Sequence, residues 1–153
     1  ICATDLGVCL LEFVDRIKLE SEFKDLQQRL KAIIIAGENM HIKQAKKQLA
    51  EYFAGQRRSF IFNLHTPGSA FQKIVWKKLQ GIECGKTCSY QQLAINIDNA
   101  KAVRAVAAAN AANRIAIVIP CHRVIAKNGK LTGYGGGLER KAWLLDHEQN
   151  MDL

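Results

Sequence analysis

Apolar positions recur along this chain in two rhythms. Short continuous or alternating runs predict strands, and runs spaced three and four apart predict helices. From Ile1 to Val14 the pattern is extended: Cys2-Ala3-Thr4, a break at Asp5-Leu6-Gly7, then Val8 to Val14. Asp-x-Gly between two apolar runs predicts a hairpin. The chain opens at Ile1 in mid-pattern and without Met, so it reads as a piece of something longer, with an outer strand ahead of the first. Helical spacing runs from Glu22 to Ile35 through Phe23, Leu26, Leu30, Ile33 and Ile34, ending before Gly37. It returns from His41 to Ala54 through Ile42, Ala45, Leu49, Tyr52 and Phe53, with Gly55 as the stop. Phe60, Phe62 and Leu64 share one face of Ser59 to Leu64 and predict a short strand. Residues 1–66 therefore read as a small antiparallel sheet with one or two helices, structural in role, and no reactive constellation lies in them.

Thr66-Pro67-Gly68-Ser69 marks a linker, and in residues 67–153 the helices become short and sharply begun. Ser69-Ala70-Phe71-Gln72 and Ser89-Tyr90-Gln91-Gln92 both fit the capping box, in which Ser and Gln side chains accept from each other's backbone N–H. The first opens a helix carrying Phe71, Ile74, Val75 and Leu79, and the second a shorter one carrying Leu93 and Ala94. Asp98 or Asn99 begins a third, Ala100 to Ala112, closed by Asn113. Two short helices joined by a tight turn, the second exposed and flanked by cations, have a helix-turn-helix shape. Ile115-Ala116-Ile117-Val118-Ile119 then predicts a buried strand, which Pro120 must end because proline has no N–H for a ladder. A turn at Lys127-Asn128-Gly129-Lys130 and a return from Leu131 to Tyr134 would complete a wing. The last helix, Leu138 to Glu148, is expected to turn Trp143, Leu144 and Leu145 inward. The fold class is α/β of the α+β kind: a small antiparallel-sheet N-terminal domain, then a winged helix-turn-helix-like domain.

Charge adds a partner to this picture. Of a net +8, the excess sits in the second half: twelve Lys and Arg against five Asp and Glu from Phe71 to Glu148, but ten against eight from Ile1 to Ala70. A basic half-domain favours a polyanion, nucleic acid before membrane surface. No apolar run reaches membrane-spanning length. Five cysteines, an odd number with no C-x-x-C pair, fit a reducing, intracellular compartment better than a disulfide framework. Cys2, Cys9 and His65 lack the tight spacing of a zinc site.

The chemistry gathers around Pro120-Cys121-His122-Arg123. A thiol is delivered at the lip of a packed core, which suits a nucleophile and equally an inert core cysteine. His122 is its nearest base, but neighbours on an extended segment point to opposite sides, so either the chain turns after Pro120 or a water carries the proton. Glu148 or Asp146 on the last helix is available to orient the imidazole. The third helix is dominated by alanine, with Arg104 projecting from it. Such a helix packs closely against a neighbour, or it enters a minor groove about 6 Å wide against about 12 Å for the major groove. Gly133-Tyr134-Gly135-Gly136-Gly137 allows close backbone approach and leaves Tyr134 as its one polar reach.

Taken together, Ile119-Pro120-Cys121-His122-Arg123-Val124, Arg104-Ala105-Val106 with Asn113, Thr132-Gly133-Tyr134-Gly135-Gly136-Gly137-Leu138 and Trp143-Leu144-Leu145-Asp146-His147-Glu148 resemble the 6-O-methylguanine-DNA methyltransferases. Phe71 to Trp76 and Ser89 to Ala94 are similar to that family too, and residues 1–66 match its small N-terminal domain in outline. The resemblance implies a DNA-repair enzyme that flips an alkylated guanine out of duplex DNA and moves the alkyl group to Cys121, once per molecule. It further implies a monomer on double-stranded DNA, with no metal, no cofactor and no membrane, in the cytoplasm of a bacterium or the nucleus of a eukaryote. Under it, His122 acts on Cys121 through a water, Glu148 holds the imidazole and Asn113 braces the active-site turn. Tyr134 donates to the departing guanine, and Val124 and Gly135 line the pocket. Arg104 fills the vacated stack, Tyr90 crowds the target phosphate, Gln91, Asn99 and Lys127 lie near the DNA backbone, and Ala105 faces the groove. Two positions depart from the family pattern: Ala107 where Gly is usual, and Arg114 where Pro is usual. The alternatives are a domain of a larger methylation-responsive regulator, a non-catalytic lesion-binding protein, against which Cys121 argues, and a Cys-His hydrolase, which leaves the alanine-rich helix without a purpose.

Overall fold

Asp5 and Leu6 turn the chain where the pattern expects it, pairing β1 (Cys2–Thr4) antiparallel with β2 (Gly7–Leu10) in the computed structural model, which describes residues 1–151. Residues 152 and 153, the end of the second expected domain, lie outside the described residues. Gly7, at φ 153°, lies so close to Asn63 that any Cβ would strike that carbonyl. The third strand expected over 59–64 reduces to a single parallel bridge, Val8 to Leu64. The reason is local: Gln48 takes both backbone groups of Ile61, donating to its carbonyl (2.9 Å) and accepting from its N–H (2.7 Å), so no ladder needs them.

Helix α1 (Leu19–Leu30) begins earlier than the apolar pattern suggests and stops short of Ile35. Lys31 takes the left-handed conformation (φ 49°) and its N–H closes the last turn. Gln27 Oε1 then accepts from Ile34 N–H at 3.0 Å, and Ile33 and Ile35 are left in solvent. Helix α2 (Met40–Phe53) starts on Asn39, whose side chain accepts from Ile42 N–H.

Helix α3 (Ala70–Leu79) carries both arms of its capping box. Strand β3 (Cys88–Ser89) runs into α4 (Tyr90–Asn96), where only Ser89 caps, because the Gln92 amide turns to Asn96 Oδ1 instead (2.9 Å). Helix α5 covers Val103–Ala111, shorter than expected, since Asp98 at φ 57° and an Asn99–Ala102 turn occupy its first residues. The segment Ile115 to Ile119, buried except for the half-buried Val118, is not a strand. Only Ile115 bridges to Leu11; Ile117 then sits at φ 71° and Ile119 N–H returns to the Ile115 carbonyl at 3.0 Å, which makes a buried turn.

Cys121–Arg123 form one turn of 3-10 helix, and β4 (Val124–Ile125) pairs parallel with β3. The wing closes through Ala126 and Lys130, and its return leg over 131–134 adds no ladder. Helix α6 (Leu138–Gln149) buries Lys141, Leu144, Leu145 and Glu148 at helical spacing, which puts Trp143 on the flank. Trp143 is half exposed and stacks on His147 (4.7 Å), a correction to its expected place inside. One core takes side chains from both halves, among them Val8, Tyr52, Val75, Val106, Ile119 and Leu144. Among the described residues no helix is long and apolar enough to cross a membrane.

Candidate active site

The turn that replaces the strand is built around Asn113. Its Oδ1 accepts from Ile115 N–H (3.0 Å), while Nδ2 reaches the Ile119 carbonyl (2.9 Å) and the Cys121 sulfur (3.1 Å). A β-branched residue at positive φ is strained, and Ile117 is held there by the hydrogen bonds on either side of it. The result is a thiol fixed on a rigid base and almost wholly buried. Burial pushes its pKa up to about 11, and Asn113's donated hydrogen bond works the other way. At neutral pH the sulfur therefore holds its proton and needs a base.

A 3-10 turn rotates successive side chains by about a third of a circle, so Cys121 and His122 diverge, and no hydrogen bond joins them. His122 is fully buried, with Nε2 2.8 Å from Glu148 Oε1. Arg123 grips the same carboxylate with Nε and Nη2, both at 2.9 Å, Gly85 N–H adds 3.1 Å, and the Tyr52 hydroxyl 2.8 Å. Burial alone would raise the Glu148 pKa, but hydrogen bonds from His122 and Arg123 hold it well below the usual carboxylate range. An ionised Glu148 fixes the proton of neutral His122 on Nε2, which leaves Nδ1 as a lone-pair nitrogen with no partner among the described residues. Burial also lowers the His122 pKa, against the pull of Glu148. Asp146, the other acid considered for this role, is exposed.

Cys121 opens onto a cleft of about 550 Å³ whose walls include Tyr90, Asn110, Thr132, Tyr134 and Gly135. The Tyr134 hydroxyl is buried with no partner among the described residues, and burial raises its pKa. Lys141 is wholly buried and donates to the carbonyls of Val124 (2.6 Å) and Thr132 (2.8 Å), which ties β4 to the glycine-rich loop. Val124 is fully buried, and the residues that line the cleft do not include it. Arg104 and Ala105 are exposed on α5, and Lys127 is exposed on the wing turn. Asn99 is exposed in the turn before α5, and Gln91 Nε2 donates to the Ala100 carbonyl (3.1 Å). Ala107 lines the cleft; Arg114 is drawn away from it, bonded to Asp25 and the Pro67 carbonyl.

Sequence reasoning missed the part that residues 12–18 play here. Arg16, paired with Glu12 and Glu22, forms one wall of the cleft against Gly135, beside Ile17 and Lys18. Arg140 of α6 stacks over Phe13 (4.7 Å), makes a two-pronged ion pair with Asp15 and donates to the Gly136 carbonyl (3.2 Å), which fastens this segment to α6 and the glycine-rich loop. The one local signal was the i, i+4 spacing of Glu12 and Arg16, which does not reveal a distant pocket.

The pattern of the 6-O-methylguanine DNA methyltransferase DNA-binding domain matches residues 70–150, more than half of the chain. The chain belongs to this methyltransferase family. A methylated-DNA–protein-cysteine methyltransferase of Methanosarcina mazei is 50% identical over 108 residues, covering 71% of this chain and 68% of the relative. The protein of the same name from Salmonella typhimurium is 53% identical over 103 residues, 66% of this chain and 60% of its own. A crystal structure of a Mycobacterium tuberculosis OGT variant superposes with a TM-score of 0.80 at 37% identity, covering 97% of this chain and 84% of that one. Mycobacterium tuberculosis OGT in complex with DNA gives 0.71 at 43% identity, with 78% of each chain covered. The methyltransferase fold thus extends over both halves, since the first of these superpositions covers 97% of the chain while the family pattern begins at residue 70.

Proposed function

We infer that this methyltransferase repairs alkylated DNA by moving the alkyl group from the oxygen of 6-O-alkylguanine to Cys121. The observation that carries the reading is a sulfur on the floor of a base-sized cleft, held by Asn113, with an ionised Glu148 and a lone-pair nitrogen of His122 behind it. His122 Nδ1 takes the thiol proton through a water, and the thiolate attacks the saturated carbon bonded to the guanine oxygen. The S–C bond forms as the C–O bond breaks, the electron pair passes into the purine, and the base ends by accepting a proton. Tyr134 donates a hydrogen bond to the departing base, with Gly135 beside it and Val124 supporting the wall. The target reaches this cleft by extrusion, which costs a few kcal/mol and least for a damaged or mispaired base. Arg104 fills the space left in the stack from the alanine-rich α5, with Ala105 against the groove, and Tyr90 crowds the target phosphate. Gln91, Asn99 and Lys127 flank the backbone. The division at 66/67 sets residues 1–66, which add Arg16, Ile17 and Lys18 to the cleft wall, against the unit that carries the reacting groups.

The thioether has no route back to a thiol here, so each chain acts once, as a monomer on double-stranded DNA. A thiol kept for a single use suits a reducing compartment, the cytoplasm of a bacterium or the nucleus of a eukaryote. Titrating a fixed excess of duplex containing 6-O-methylguanine with protein tests the reading. Methyl groups removed should rise linearly and stop at one per chain. Continued removal beyond one per chain, or none at all, overturns it.

A further inference from the structure

Tyr52 lies in α2, far in sequence from every reacting group, yet it is wholly buried and its hydroxyl donates to Glu148 Oε1 at 2.8 Å. That oxygen is the one that accepts from His122 Nε2 at 2.8 Å and from Arg123 Nη2 at 2.9 Å. Three donors on one carboxylate oxygen compete for its lone pairs, so each weakens what the others receive. Tyr52 is also held at its other end: its backbone carbonyl accepts from His147 Nε2 at 2.8 Å. Two bonds to neighbouring residues of α6 fix α2 against the helix that carries Glu148. The ring is packed between Phe53, Phe60 and His147, at 5.3, 5.5 and 5.3 Å between centroids, and has no room to swing away.

We propose that Tyr52 is a positioning residue of the transfer site: its hydroxyl holds Glu148 Oε1 against His122 and limits the carboxylate's pull on the imidazole proton. The proposal rests on the reading of His122 as the proton acceptor for Cys121. It gives the N-terminal half a part in the chemistry, because the proton affinity of His122 is then set from α2 as well as from the 3-10 turn. The charged and titratable groups around the pair are Arg123 and Cys121 from that turn, Lys141 and His147 from α6, Cys84 before β3, and Tyr134 from the glycine-rich loop. Arg123 and Lys141 oppose protonation of His122, Glu148 favours it, and Tyr52 trims the contribution of Glu148. The phenol is held above its ordinary pKa by burial and by Glu148, so it stays a donor throughout the working range.

The test is Tyr52→Phe, which keeps the ring and removes only the donor. With one competitor gone, Glu148 binds the imidazolium more strongly and the His122 pKa rises. We expect an upward shift of roughly half to one unit in the NMR titration of the His122 ring, and an equal shift in the acid limb of the rate of alkyl transfer from free 6-O-benzylguanine. In a Glu148→Gln background the same substitution should shift neither. Site-specific 3-fluorotyrosine at position 52, a stronger donor of nearly the same size, should shift both the opposite way. It keeps the question open should Tyr52→Phe fail to fold. A Tyr52→Phe protein whose titration and pH profile overlay the wild type, with rate lowered equally at all pH, reduces Tyr52 to packing and overturns the proposal. Failure of the parent reading looks different: the wild type itself then does not transfer, while the NMR titration still reports on Tyr52.

Discussion

Asn113→Ala removes the side chain on which the buried turn is wound, and its cost follows from the bonds it breaks. Among the described residues Ile115 N–H has only Asn113 Oδ1 as acceptor, so it is left unpaired in the core, whereas the Ile119 carbonyl keeps Cys121 N–H. One buried orphan costs about 1–3 kcal/mol and the lost bond to Ile119 about 1 kcal/mol more, so a loss of roughly 2–4 kcal/mol is expected. For a chain of this size that lowers the melting temperature by roughly 5–15 °C. A second effect falls on the chemistry. Nδ2 donates to the sulfur and stabilises it as it becomes a thiolate, and a hydrogen bond to a charged group contributes about 1.5–3 kcal/mol, or roughly 10- to 100-fold in rate. The assays are urea denaturation, and single-turnover transfer measured well below the variant's melting temperature. A variant that loses less than about 1 kcal/mol and transfers at the wild-type rate would refute the account of the turn.

Other predictions concern the groove, the seam and pH. Arg104→Ala should slow transfer from duplex DNA at least about tenfold more than transfer from the free alkylated base, since only the duplex has a stack to fill; equal slowing removes that role. Arg16→Ala leaves the Glu12 carboxylate, 1% exposed, without its partner and should cost about 3 kcal/mol at pH 7 by denaturant titration. Adding Glu12→Gln should restore part of that loss, with Glu22 still lacking its partner, and no recovery would show that the Glu12 pair is not the cause. Acidification should destabilise the protein in two steps, because His122 and Glu148 both have folded pKa values below their unfolded ones. The unfolded chain takes up the histidine proton first, below about pH 6.5, and the glutamate proton below about pH 4.5, so stability falls as pH falls through each. Glu148→Gln should shrink the lower step, to which Asp15, Asp25 and Glu38 also contribute through their own lowered pKa values, and a wild-type stability flat from pH 7 to 4 would contradict the network.

Much of this site was legible in the sequence, and the misses have physical causes. Pro120-Cys121-His122, the Ser69 cap and the short capped helices are local signals, and they stand where local chemistry puts them. The run Ile115–Ile119 reads as a strand because β-branched residues favour one. A buried amide two residues upstream satisfies the backbone instead, and side-chain periodicity cannot register that. The same holds for 59–64, where Gln48 replaces a strand partner, and for Ile33–Ile35, where Lys31 ends a helix that the spacing would extend. Arg16 and Tyr52 went unseen as parts of the site for another reason. Each acts across a tertiary contact, from an apolar helix face or an ordinary ion-pair spacing that by itself signals only packing or solvation.

The central claim is that Cys121 is the acceptor, and the mass of one peptide decides it. After incubation with duplex DNA carrying a single 6-O-methylguanine, followed by proteolysis, the peptide holding Cys121 should be heavier by one methylene in every molecule that reacted. Peptides holding Cys2, Cys9, Cys84 and Cys88 should be unchanged, as should every peptide after incubation with unmodified duplex. An unaltered Cys121 peptide alongside demethylated DNA, or the added mass on another cysteine, would contradict the account.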